Sequence, residues 1–238
     1  MSPVFDAGVI YEKAMHARDP HGILKEIFKL DDAVRLYGSG RTDSGVHAIE
    51  QVIHFETNTI RTERAWLFGG NVNLPSDVNF KWVRVVNDDF HARYSALARS
   101  YKYKIHHNPV RSSLKADYFL WEPRPLNVDD MNEAAALLVG EHDFSCFRGS
   151  LCQAKSPIKI VEYIEIDSFE DEVILNFKAN AFLHHMVRNI VGTLLKIGRC
   201  EKDVEWMSFV LASKDRKKAG PTAEPQGLYF MQAFYEES

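Results

Sequence analysis

One helix constrains this chain more than any other segment. From about residue 182 to 197, Leu183, Met186, Val187, Ile190, Val191, Leu194 and Leu195 recur at helical spacing, and Gly198 stops the run. The stripe they form must be buried. His184 and Arg188 are four apart and are expected to share the helix face beside it. Upstream, helical and extended patterns alternate. Residues 19–30 read as a helix opened by Asp19-Pro20, with Ile23, Leu24, Ile27, Phe28 and Leu30 as its stripe. A short helical segment starts at Thr62 and ends before Asn73-Leu74-Pro75, and residues 129–139 form another helix, with Gly140 beyond its end. Residues 52–55, 79–86, 99–106, 158–166 and 172–180 read as strands. Such a pattern implies a mixed α/β or α+β chain. Asn108-Pro109 marks the main break, which divides the chain into subdomains 1–105 and 106–238.

Composition limits what these units can do. At 238 residues the chain has ample core, and 45% hydrophobic with 26% charged residues is ordinary for a globular protein. No apolar run approaches the roughly 18 residues of a membrane helix, and no signal pattern opens the chain, so a cytoplasmic setting is expected. Cys146, Cys152 and Cys200 suit neither a disulfide framework nor a zinc site. The adjacent pairs His106-His107 and His184-His185 should diverge on a strand or helix, which argues against joint metal binding. No cofactor fingerprint is present.

Net charge is −4, yet its distribution is uneven. No Asp or Glu lies between Phe90 and Ala116, while Arg93, Arg99, Lys102, Lys104, Arg111 and Lys115 alternate there with Tyr94, Tyr101 and Tyr103. Basic groups that neutralise phosphates, interleaved with rings that stack on bases, fit RNA recognition. A solvated basic face is the plainer reading. The run from Lys214 to Lys218 reads as a solvated helix end.

The richest chemical signal is Gly40-Arg41-Thr42-Asp43-Ser44-Gly45-Val46-His47-Ala48, a tight turn that displays one carboxylate beside an arginine. Taken alone, Asp43 only closes an Asx-turn. The string, however, resembles the signature of the bacterial tRNA pseudouridine synthase A family. Five further motifs resemble that family in the same order. They are Asp88-Asp89-Phe90-His91-Ala92-Arg93-Tyr94-Ser95-Ala96, Arg99-Ser100-Tyr101-Lys102-Tyr103, Gly140-Glu141-His142-Asp143-Phe144, Ala179 to Gly192, and Gly227-Leu228-Tyr229.

The resemblance implies the α+β pseudouridine synthase fold, with two similar subdomains whose antiparallel or mixed sheets flank a central cleft. It implies isomerisation of uridine to pseudouridine in the anticodon stem-loop of tRNA, at positions 38, 39 and 40, by a homodimer without metal or cofactor. Asp43 would be the catalytic residue, as nucleophile or as base, on the uracil or on the ribose. The target must be flipped out of its stack. Arg41 would assist the flip, Tyr101 would stack on the uracil near its C5 proton, and Arg188 would pair with Asp43. His47 and His142 receive no task. Met1 to Arg18 do not match the strand and Gly/Gln-rich segment with which the family usually opens. Val4-Phe5 and Val9-Ile10-Tyr11 are the residues that can substitute for that strand. Because of this departure, the alternative is a tRNA-binding protein of the same fold with weak or no catalysis.

Overall fold

The computed structural model describes residues 4–11 and 36–236, and the chain divides into two compact units. Unit 1 comprises residues 1–97 and 230–238, and unit 2 residues 98–229. The division expected at 105/106 falls inside the strand Ala98–His107. The helix expected at 19–30 lies outside the described residues.

Unit 1 is built on an antiparallel sheet. Its strands are β1 (Val4–Tyr11), β2 (Leu36–Gly38), β3 (His47–Glu56) and β4 (Val78–Val86). β1 lies between β3 and β4 and pairs with both, Val4 standing opposite Glu56 on one side and Val86 on the other. The unusual N-terminal residues therefore do supply a strand, and the sheet under the candidate turn is continuous. β2 pairs with the middle of β3, Leu36 opposite Phe55. From Phe230 onward, strand β10 (Leu228–Phe234) runs beside β3. Helix α1 (Glu63–Asn73) is capped by Thr62, whose hydroxyl accepts from the Ala65 amide at 3.2 Å. It packs on β4 through the fully buried Trp66, whose ring meets Phe55 edge-on at 5.6 Å. Asn71 clamps the helix to the strand: its amide donates to the Phe80 carbonyl at 3.0 Å and accepts from the Phe80 amide at 2.7 Å.

Unit 2 has the strand order β5-β9-β8-β7, formed by Ala98–His107, Glu172–Ala179, Ile158–Phe169 and Gly140–Asp143. These neighbours are antiparallel, and the short β6 (Leu120–Glu122) adds a parallel pairing to β5, which makes this sheet mixed. Helix α2 (Val128–Ala136) packs on β8 and is clamped as α1 is, since Asn132 exchanges two hydrogen bonds with the Ile166 backbone at 2.8 and 3.0 Å.

Helix α3 (Met186–Gly198) packs on α2. Gly198, its last residue, lies where a Cβ would come 2.5 Å from the Met131 sulfur, and the left-handed Cys200 (φ +57) follows two residues later. The helix begins four residues later than its apolar stripe suggests. His185 has φ +62, a left-handed angle that interrupts helical geometry just before Met186. Helix α4 (Glu205–Ser213) follows. Among the described residues no helix is long and apolar enough to cross a membrane.

Candidate active site

Arg41 and Asp43 sit on the connection from β2 to β3 in unit 1. Both sides of that connection are anchored. The Ser39 amide donates to the Val52 carbonyl at 2.8 Å, and its buried hydroxyl donates to Gln51 Oε1 at 2.8 Å. The Gln51 amide in turn donates to the Gly40 carbonyl. Val46, His47 and Ala48 are buried immediately beyond the turn, so they tether its far end to the core. Between these anchors the Val46 amide donates to the Asp43 carbonyl at 3.0 Å, and Gly45 has φ +88. A β-turn with this bond and a positive angle at its third residue strains any residue but glycine, which explains Gly45. Gly40 is not in that region; its carbonyl is what the turn uses. Arg41 is exposed, and the Asp43 side chain is half-buried.

The motif around His91 forms a ring cluster in the same unit. His54, on β3 and only 4% exposed, stacks on Tyr37 at 4.9 Å and meets His91 at 4.6 Å. His91 packs against Tyr94 at 4.2 Å. His54 Nδ1 accepts from the Ala92 amide at 3.0 Å, and burial first, then the neighbouring His91, lowers its pKa to about 4. His91 Nδ1 likewise accepts from the Arg93 and Tyr94 amides, at 3.1 and 3.3 Å. Sequence reasoning gave neither histidine a part. Their signal was a family-like motif whose backbone amides need acceptors.

In unit 2, Tyr101 lies on β5 opposite Phe177 and makes an edge-on contact with Phe182 at 5.0 Å that holds its ring plane. Arg188 lies in the first turn of α3. Its Nε donates to the Ala223 carbonyl at 2.8 Å, and the Ala223 amide donates back to the Arg188 carbonyl at 3.1 Å. His184 precedes the helix and does not share a helical face with Arg188. The His184 and His185 rings stack with centroids 3.8 Å apart, so the expectation that this pair diverges is corrected. The left-handed angle at His185 is the reason, because neighbouring side chains diverge only on regular backbone.

The sequence is closely similar to those of known proteins. The family described as "tRNA pseudouridine synthase" matches residues 134–236. The "tRNA pseudouridine synthase A" of Hydrogenovibrio crunogenus is 50% identical over 208 residues, which cover 87% of this chain and 79% of that protein. The chain belongs to the tRNA pseudouridine synthase A family. The relative of the same name in Methylococcus capsulatus is 50% identical over 207 residues, with 87% of this chain and 76% of the relative covered. That of Actinobacillus succinogenes is 46% identical over 210 residues, covering 88% and 80% respectively.

The basic stretch of this family member is not one uniform face. Arg93 and Tyr94 belong to unit 1, where Tyr94 is 76% exposed and the Arg93 guanidinium lies over its ring at 5.8 Å. The other members belong to unit 2 and are engaged to different degrees. Lys115 is paired with Asp171 at 3.0 Å and Glu172 at 2.8 Å, on the turn from β8 to β9, which raises its pKa. Lys104 holds its ammonium over the Tyr229 ring at 4.1 Å, and burial lowers its pKa, with Lys102 acting in the same direction. Tyr103 is fully buried and donates to the Glu224 carbonyl at 2.7 Å, so it offers no stacking face. Arg99 donates to the Asn180 carbonyl at 3.0 Å, while Arg111 is exposed. Within Lys214–Lys218, Arg216 turns inward onto α3 and only Lys214, Lys217 and Lys218 are exposed.

Proposed function

We propose that this chain isomerises uridine to pseudouridine in tRNA, at positions 38, 39 and 40 of the anticodon stem-loop, as a cytoplasmic homodimer. Membership of the family carries the reading, and the turn built around Asp43 supports it chemically. In the reaction the bond from ribose C1′ to uracil N1 breaks, the detached base rotates, and C1′ joins C5. The C5 proton leaves and N1 gains one, so atoms balance with no redox step or group donor. Asp43 is the nucleophile or base that this sequence needs. A displayed carboxylate reaches a uridine only after the base leaves its stack, at a cost of a few kcal/mol. Arg41, exposed on the same turn, is assigned to that flip. Tyr101 supplies a ring of fixed plane for the uracil and a hydroxyl for the departing C5 proton. Arg188 is assigned the orienting of the reacting carboxylate.

The alternative of a tRNA-binding protein with weak or no catalysis drew on the atypical N-terminus. The pairing of β1 with β3 and β4 removes its physical basis, because the sheet beneath the turn keeps its strand. Asp43→Asn tests the proposal. It should abolish pseudouridine formation in tRNA, mapped at nucleotide resolution, while tRNA affinity changes by less than about 1 kcal/mol, since shape is kept and only the ionised oxygen is lost. Substantial residual turnover would refute the role of Asp43.

A further inference from the structure

Helix α3 carries three residues, Asn189, Gly192 and Thr193, to which the chemistry above gives no task. All three hold the segment 216–223. Asn189 is fully buried and both ends of its amide are bonded. Its Nδ2 donates to the Phe147 carbonyl at 2.8 Å, and its Oδ1 accepts from the Thr222 hydroxyl at 2.6 Å and Arg216 Nη2 at 2.9 Å. Arg216 Nη2 also reaches the Thr222 hydroxyl at 3.0 Å, and Nη1 donates to the Gly220 carbonyl at 2.8 Å. The Thr193 hydroxyl donates to the Asn189 carbonyl at 2.8 Å and accepts from the Gly220 amide at 2.9 Å. At the crossing the two backbones touch. A Cβ on Gly192 would lie 1.7 Å from the Pro221 carbonyl oxygen, and one on Gly220 would lie 2.4 Å from that of Gly192.

The segment held this way ends on Ala223, which receives the Arg188 Nε bond and returns one to the Arg188 carbonyl. A guanidinium is planar and rigid, so a fixed acceptor at Nε restricts the directions its other two nitrogens can take. Among the described residues, the acceptors that Arg216 meets are the neutral Gly220 carbonyl, Asn189 Oδ1 and Thr222 hydroxyl, and burial lowers its pKa. Its bonds tie α3 to the segment that ends on Ala223.

We propose that Arg216, acting through Asn189 and Thr222, is a positioning residue for the Arg188 guanidinium. The inference rests on the role given to Arg188 above, and its test separates the two. In the 15N-labelled full chain, the Arg188 Nε–H signal, assigned by its loss in Arg188→Lys, should exchange slowly with solvent. Arg216→Ala should speed that exchange by ~10-fold or more, and the near-isosteric Thr222→Val by less, because local opening governs exchange. On tRNA, Arg216→Ala should slow the single-turnover rate ~10-fold while the Kd stays within ~3-fold, and should slow it no further in an Arg188→Ala background. Wild-type protection of Arg188 Nε–H in Arg216→Ala would overturn the proposal. Equal slowing by Arg216→Ala with and without Arg188 would overturn it too. If protection is lost as expected but Arg188→Ala reacts at the wild-type rate, the positioning contact stands and the role given to Arg188 fails.

Discussion

Acidification should destabilise unit 1 through His54. His54 is packed between Tyr37, Phe90 and His91, and its Nδ1 is committed to the Ala92 amide. Its pKa falls from 6.5 to about 4 in the folded protein. On lowering the pH, the unfolded chain therefore takes up a proton at about 6.5, well before the folded chain can. Stability is fully present above that value and is lost progressively as pH falls toward 4. At about 1.4 kcal/mol per unit, the 1.5 units from pH 6.5 to 5 amount to up to about 2 kcal/mol. His91 adds to the effect, since burial lowers its pKa as well. In unit 2, hydrogen bonds from Ser145 and Lys115 hold the Asp143 and Asp171 carboxyls below the usual carboxylate range, so they add nothing to this loss. The replacement to make is His54→Gln, whose oxygen can still accept from Ala92 but cannot take a proton. Urea unfolding at pH 7.5 and pH 5, together with NMR titration of the His54 ring, measures both quantities. The variant should lose up to about 2 kcal/mol of the pH dependence. An unchanged dependence, or a His54 ring that titrates near 6.5, would refute the reasoning.

Three further outcomes can be measured directly. Gly192→Ala places a Cβ 1.7 Å from the Pro221 carbonyl oxygen and should cost about 1–3 kcal/mol or more, read as a lowered Tm; a wild-type Tm would show that the crossing has slack. Tyr101→Phe should slow the chemical step with tRNA affinity nearly unchanged, whereas Tyr103→Phe, which loses the bond to Glu224, should lower stability by about 1 kcal/mol and spare the rate. Equal rates for wild type and Tyr101→Phe would remove the hydroxyl from the chemistry. Lys115→Ala should leave the salt dependence of tRNA binding unchanged, because Asp171 and Glu172 already neutralise that lysine, while Arg111→Ala should flatten the slope by about 0.9 if Arg111 meets a phosphate. A flatter slope for Lys115→Ala would mean that the pair opens to RNA.

Most elements of this protein were legible from local patterns. The apolar spacing of α3, the Thr62 cap of α1 and the alternation along β5 each express a preference of a few neighbouring residues, which the fold left in place. The turn at Asp43 was equally local, since Gly45 supplies an angle that only its own backbone requires. Tertiary structure decided the partners. Arg188 meets a carbonyl 35 residues away and Lys115 meets an acid 56 residues away, so neither spacing nor residue type foretold a positioned guanidinium or a neutralised lysine. It also decided where a local rule gives way, as at His185, whose left-handed backbone stacks two rings that a regular helix would part. The place of β1 between β3 and β4 belongs to the same class. Strand pairing is satisfied by backbone groups, so residues without the family's usual opening can still complete the sheet.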